Sequence, residues 1–204
     1  MTEYWNESLT KASWESLQEF SKRYDFILIG GWAVYLWTKQ HKSKDIDIVI
    51  DFDTLGQLKR DYDVTKNSRL KIYEIRKDRF DIDIYVKHYS EIGFPLEQME
   101  ATRVEGFTVP VPEDLLILKQ NAEVDRRDSV KGKKDAIDIL SILIYAGINH
   151  EKYLSKLKRY DLDFEEELIY VVGSFNAEES KYLKMGFKDF KDWQNGFLEK
   201  RGVR

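Results

Sequence analysis

The chain of 204 residues has no cysteine and only three prolines. Without thiols, disulfide frameworks, thiolate nucleophiles and cysteine-ligated zinc are all excluded. Its three histidines, His41, His88 and His150, are scattered and form neither a metal set nor a triad with a serine. No apolar run approaches the ~20 residues of a membrane span. The opening MTEYWNESLT lacks the apolar core of a secretory signal, so the cytoplasm is the expected compartment, with no membrane partner. Nor does either charge dominate. Lysine and arginine number 33 against 37 aspartates and glutamates, a net charge of −4. That balance disfavours indiscriminate coating of nucleic acid but leaves room for a local basic groove.

What the chain does have is apolar and aromatic material, 42% and 14% of its residues. This is enough to pack one domain of ordinary size or two small ones. The most informative stretch is FILIGGWAVYLW followed by KSKDIDIVID. An apolar strand from Phe26 to Ile29 runs into Gly30-Gly31, which opens a helix. Asp45 and Asp47 follow on a second strand. Alternation puts the two aspartates on one face and Ile46, Ile48 and Ile50 on the other. Neighbouring carboxylates repel unless a cation neutralises them. Magnesium suits that task, being a hard ion that takes oxygen ligands and carries phosphates on its remaining faces. A glycine turn at a helix N-terminus supplies the complementary half, backbone N–H groups aimed at phosphate. Later, FDIDIYV places Asp81 and Asp83 on one face of another strong strand.

Taken singly, Gly-Gly is a tight turn and a DIDI strand a solvated sheet face. Their joint order and spacing points to a nucleoside triphosphate site. Two-metal transfer needs carboxylates that bridge two ions and one more on the ion activating the nucleophile. Over roughly Tyr24 to Asp138 the chain resembles the nucleotidyltransferase superfamily that contains DNA polymerase beta. GGWA followed by DIDI is similar to antibiotic nucleotidyltransferases of the aminoglycoside and lincosamide type. PVPEDLLILKQ and KKDAIDIL look like the minimal, toxin-type branch related to AbiEii.

The resemblance implies an α+β nucleotidyltransferase fold with a small mixed sheet, an N-terminal helix and a helical C-terminal half. It implies metal-dependent transfer of NMP from an NTP, ATP or GTP, to an acceptor hydroxyl. Two Mg²⁺ ions would be held by Asp45, Asp47 and Asp83, with Gly30, Gly31 and Lys119 on the nucleotide. Asp83 is expected, ahead of Asp81, to stand nearest the Asp45–Asp47 pair. The acceptor is open between tRNA, protein and a small molecule. The alternatives are a toxin-type enzyme blocked by an antitoxin protein and a catalytically inactive nucleotide-binding module.

Coarse patterning divides the chain near residue 110, with a core over 1–110 and a helical region over 111–204. Apolar spacing predicts a helix from about Asn6 to Arg23, then the Gly-Gly helix to Thr38 and a short helix over Leu55 to Arg60. Leu70 to Ile75 and Phe80 to Val86 read as an antiparallel hairpin, and Phe107 to Val109 as a short strand. Helices are expected over Glu113 to Glu123 and Lys133 to Tyr145, with two or three more up to Leu198. Trp32 reads as a packing residue and Asp51 as solvated or capping. Asp135 and Asp138 read as helix-surface charges. The basic run from Arg126 to Lys134 suits phosphate but reads first as a solvated loop.

Overall fold

The computed structural model describes residues 7–203. Helix α1 (Glu7–Phe20) leads to strand β1 (Ile27–Ile29), which passes straight into α2 (Gly30–Thr38). Then come β2 (Ile46–Ile50), α3 (Phe52–Asp61), β3 (Thr65–Asn67), β4 (Ile72–Arg76) and β5 (Asp81–Val86). A short 3-10 turn precedes the hairpin of β6 (Ala101–Val104) and β7 (Phe107–Pro110). Beyond it lie α4 (Pro112–Arg126), α5 (Val130–Tyr145), α6 (His150–Tyr160), α7 (Phe164–Ser174) and, after a 3-10 stretch, α8 (Phe187–Glu199). The expected helix start at Asn6 lies outside the described residues.

Five strands form one sheet in the order β1-β2-β5-β4-β3. The central pair β2 and β5 runs parallel and every other pairing is antiparallel, so the sheet is mixed. The fold is α+β, with an N-terminal helix, a small mixed sheet and a helical C-terminal half, as expected.

Alternation explains the central pair. Ile46, Ile48, Ile50, Ile82, Ile84 and Val86 are each at most 1% exposed. Burying such branched side chains contributes roughly 1.5–3 kcal/mol apiece, which fixes the register, since a one-residue slip would turn all of them outward. The opposite face is thereby obliged to carry the aspartates. A single cluster of buried residues extends from Leu17 in α1 through these isoleucines to Val171 in α7 and crosses residue 110. A smaller cluster gathers around Phe190, Leu183 and Leu140. No helix among the described residues is long and apolar enough to cross a membrane.

Local signals set the helix ends. Asp51 caps α3 by accepting from the Thr54 amide at 2.8 Å, and Ser129 caps α5 through the Gly132 amide at 3.0 Å. Pro112 opens α4, where its missing N–H costs nothing. Trp32 is buried, and its indole donates to Ser13 Oγ at 3.2 Å, tying α2 to α1. Two strands were not anticipated, β3 and β6. Both are short, polar and largely exposed, with no apolar alternation to betray them. Asp135 and Asp138 depart from expectation more sharply. They are buried, at 1% and 2% exposure, and lie inside the molecule between α4 and α5.

Candidate active site

The parallel register of β2 and β5 sets Asp47 directly opposite Asp83. The next pairing outward sets Glu74 of β4 opposite Asp83, and on the other side Ile29 of β1 opposite Asp47. Three carboxylates therefore stand in a row across the sheet, with neighbouring strands ~4.8 Å apart. Asp45 precedes β2, and its Oδ1 accepts from the Asp81 amide at 3.3 Å, which holds it over the start of β5. Asp81 itself is exposed and paired in register with Arg76, two residues away from the row. Glu74 is tethered by Asn67 Nδ2 at 2.8 Å and Arg76 at 3.3 Å.

The glycine turn packs onto this row. Gly30 has φ +63°, and a Cβ there would overlap the Asp47 carboxylate, with Cγ only 2.6 Å away. The turn must therefore be glycine for two reasons, the left-handed backbone and the close approach of Asp47. A Cβ at Gly31 would meet Ser43 Oγ at 2.7 Å and Lys134 Nζ at 3.3 Å. Ile29 precedes α2 without a side-chain cap, so first-turn amides of α2 are left for a ligand or water. A hydroxyl, an ammonium and helix N-terminal amides thus meet beside the carboxylates, the groups that phosphate oxygens accept from.

Electrostatics follow from this crowding. Burial raises the Asp47 carboxyl above the ordinary range, Lys119 and Lys134 pull it back, and Asp45 adds to the rise. Asp83 is pushed up to about 7, by burial first and then by Asp47, Glu74 and Asp45. Tyr85, two residues along the same face, is raised by burial and by both aspartates. Lys119 donates to Asp135 Oδ1 at 3.1 Å and sits 2.7 Å from Asp138 Oδ2. Burial opposes its charge, but Asp138 and Asp135, with Asp47 contributing, hold it protonated above the usual lysine range. Arg126 reaches the other Asp135 oxygen at 2.7 Å. The α4–α5 hairpin thereby presents Lys119, Arg126 and Lys134 to the field of Asp47.

Of the residues expected from sequence, Asp45, Asp47, Asp83, Gly30 and Gly31 come together at one sheet face. Lys119 lies in the same field, yet its ammonium is held by the two buried aspartates. Glu74 and Ser43 went unrecognised as site residues, and Lys134 belonged to the basic run that suits phosphate but read first as a solvated loop. Glu74 was legible in principle, because the β4–β5 hairpin register alone pairs it with Asp83. Lys134 was masked by its charged neighbours, and Ser43 carries no motif.

A hard divalent cation fits the donor set. The nearby ligating groups are carboxylate oxygens, and those of Asp47 and Asp83 hold protons more tightly than usual because burial, and after it neighbouring carboxylates, disfavour their charge. Among the described residues no three His, Cys, Asp or Glu side chains are arranged to hold an ion alone. Magnesium needs no such cage, since it is commonly bound through one or two carboxylates plus waters and substrate phosphates.

No family model matches the chain, and no curated protein does. Solved structures with a similar course include an antigenic nucleotidyltransferase-like protein from Paracoccidioides brasiliensis. It is 16% identical, with a TM-score of 0.43, over 81% of this chain and 94% of that one. The Megavirus polyadenylate synthase is 13% identical, with a TM-score of 0.49, over 96% of this chain but 50% of that one. At such identities and scores neither likeness says what this chain does, so its own site has to.

Two outcomes follow from the geometry. Gly30→Ala should lower the melting temperature, because it strains the backbone by about 1 kcal/mol or more and displaces the Asp47 carboxylate. Gly56→Ala is the control. It lies in α3 with nothing within 4 Å of its Cβ, and should leave stability unchanged or raise it by about 0.5–1 kcal/mol. Equal losses in the two variants would contradict the packing described.

The second outcome concerns pH in metal-free buffer. Asp83 binds its proton more tightly in the folded chain, about 7 against an ordinary 3.8. Its contribution to stability is therefore greatest below pH about 4, falls as pH rises to about 7 and is constant above. Relative to Asp83→Asn, the wild type should lose up to a few kcal/mol across that window, less whatever solvent screening removes. Parallel stability–pH curves for the two proteins would refute this.

Proposed function

We propose that this protein is a metal-dependent nucleotidyltransferase that moves NMP from an NTP onto an acceptor hydroxyl. The observation that carries the reading is the meeting of Asp47 and Asp83 across one register position with the Gly30 turn seated on Asp47. Asp45, Asp47 and Asp83 would hold magnesium, which when bound supplies charge neutralisation on the triphosphate and a more acidic acceptor hydroxyl. Gly30 and Gly31 let Asp47, Ser43 and Lys134 close in on the turn, where a side chain would displace them. Ser43 and Lys134 would bind oxygens of a phosphate placed beside that turn, and the first amides of α2 add their dipole.

In the transfer, the acceptor oxygen attacks the α-phosphorus in line, the bond from that phosphorus to the bridging oxygen breaks, and pyrophosphate leaves. Asp83 stands in the middle of the row, between Asp47 and Glu74, and accepts the acceptor's proton before passing it to solvent. Lys119 acts at one remove. Held by Asp135 and Asp138, it keeps positive charge behind Asp47 and is a positioning residue more than a phosphate ligand. Alignment and charge do the work, and the chain needs no covalent intermediate. The fully retained carboxylate set favours an enzyme over an inactive binding module. The resemblance of the α4–α5 segment to toxin-type enzymes makes tRNA and protein the acceptors to try beside small molecules.

Incubation with each α-labelled NTP, Mg²⁺ and tRNA, protein or aminoglycoside fractions should transfer label to one fraction. Asp47→Asn should lower that transfer by several orders of magnitude, since metal catalysis supplies several kcal/mol. The same substitution relieves repulsion with Asp45 and Asp83, so the metal-free variant should melt no lower than wild type. A variant that keeps its activity, or that loses activity only because it unfolds, would defeat the assignment.

A further inference from the structure

A cavity of about 450 Å³ opens among the C-terminal helices, with none of its walls drawn from the sheet. Trp193, Gly196, Phe197 and Lys200 line it from one side of α8 and just beyond, at the i, i+3, i+4, i+7 spacing of a single helix face. Arg201 stands at this wall. Its guanidinium carbon is 3.6 Å from the Phe197 ring centroid. Nη1 donates to the Phe197 carbonyl and Nη2 to His150 Nδ1, each at 3.1 Å. Among the described residues no carboxylate lies within salt-bridge reach of Arg201, Glu165 pairing instead with His150 at 3.6 Å. The Arg201 Nε is buried and has no hydrogen-bond partner.

Glu165 acts on Arg201 only at longer range; a partly buried guanidinium with a spare donor and no contact ion pair is costly, and an anion that reaches it recovers that cost. Its planar fork matches a carboxylate, whose two oxygens can take parallel N–H bonds. Most of the remaining walls are apolar and aromatic, with Lys200 adding a second cation and Asp192 and His150 the other polar groups, and the volume lies within the ~300–1,000 Å³ usual for small-molecule sites. We propose that this cavity binds a small carboxylate with an aromatic or branched aliphatic body. The carboxylate rests on Arg201 and the body against Trp193 and Phe197. The site is independent of nucleotidyl transfer, and its test reads binding alone.

Isothermal titration of the full chain with indole-3-carboxylate, 2-naphthoate and 4-methylpentanoate, each beside its primary amide, tests the proposal. At least one carboxylate should saturate with one site per chain and bind about tenfold or more tightly than its amide. In Arg201→Gln the two should bind within about twofold of each other, the charge-assisted bonds being lost. Gly196→Leu covers the case in which Arg201→Gln does not fold. No atom lies within 4 Å of a Cβ at Gly196, and loss of a helical glycine favours folding. This variant should melt at or above the wild-type temperature yet bind none of the six compounds. No saturating carboxylate in the wild type, a preference that survives Arg201→Gln, or undiminished binding by Gly196→Leu would each overturn the proposal.

Discussion

Repulsion among carboxylates on the two central strands is the constraint around which the site is arranged. The isoleucine face of β2 and β5 must be buried, and that burial leaves Asp47 and Asp83 adjacent whatever their mutual cost. Two unit charges at about 5 Å interact by roughly 3 kcal/mol at an effective dielectric of 20. The isoleucines opposite contribute more than that in total, so the sheet forms and the strain stays on the surface of the cleft. Burial first, and neighbouring carboxylates after it, raise the proton affinity of both aspartates.

The α4–α5 hairpin answers that strain from above. Lys119, Arg126 and Lys134 all bear on Asp47, and Lys131 bears on Asp83. Asp135 and Asp138 hold Lys119, and Asp135 also holds Arg126, so the cations are fixed in place and partly neutralised. The six carboxylates Asp45, Asp47, Glu74, Asp83, Asp135 and Asp138 still outnumber these cations and Arg76, which pairs with Glu74. In the function proposed above, that excess would serve a divalent ion and Lys134 at the glycine turn a phosphate. Lys119 and Asp135 are buried while Arg126 is half-exposed, so removing either buried member would leave an uncompensated buried charge, which commonly costs about 3–5 kcal/mol.

Much of this was legible in the sequence because it rests on short-range rules. Period-two alternation located β2 and β5 and put their aspartates on one face. The Gly-Gly pair marked a turn opening a helix, though its contact with the Asp47 carboxylate emerged only from the fold. The choice between Asp81 and Asp83 needed the strand register, which periodicity alone does not supply because both share a face. Asp135 and Asp138 were misread for a related reason. A helix rich in charge looks solvated until tertiary packing sets a buried lysine and an arginine against it. The strands β3 and β6 escaped because edge strands of polar residues carry no alternation. Ser43 and Lys134 reach Gly31 from distant points in the chain, and only the fold brings them there.

The central claim is that the Asp47–Asp83 face is a site for divalent metal and nucleotide together. Electron paramagnetic resonance of free Mn²⁺ measures this directly, titrated into the wild type and Asp47→Asn with and without a non-hydrolysable NTP analogue. The account predicts saturable Mn²⁺ uptake by the wild type, strengthened by the analogue, and loss of both in the folded variant. Uptake of Mn²⁺ and analogue by Asp47→Asn with wild-type affinity would contradict it.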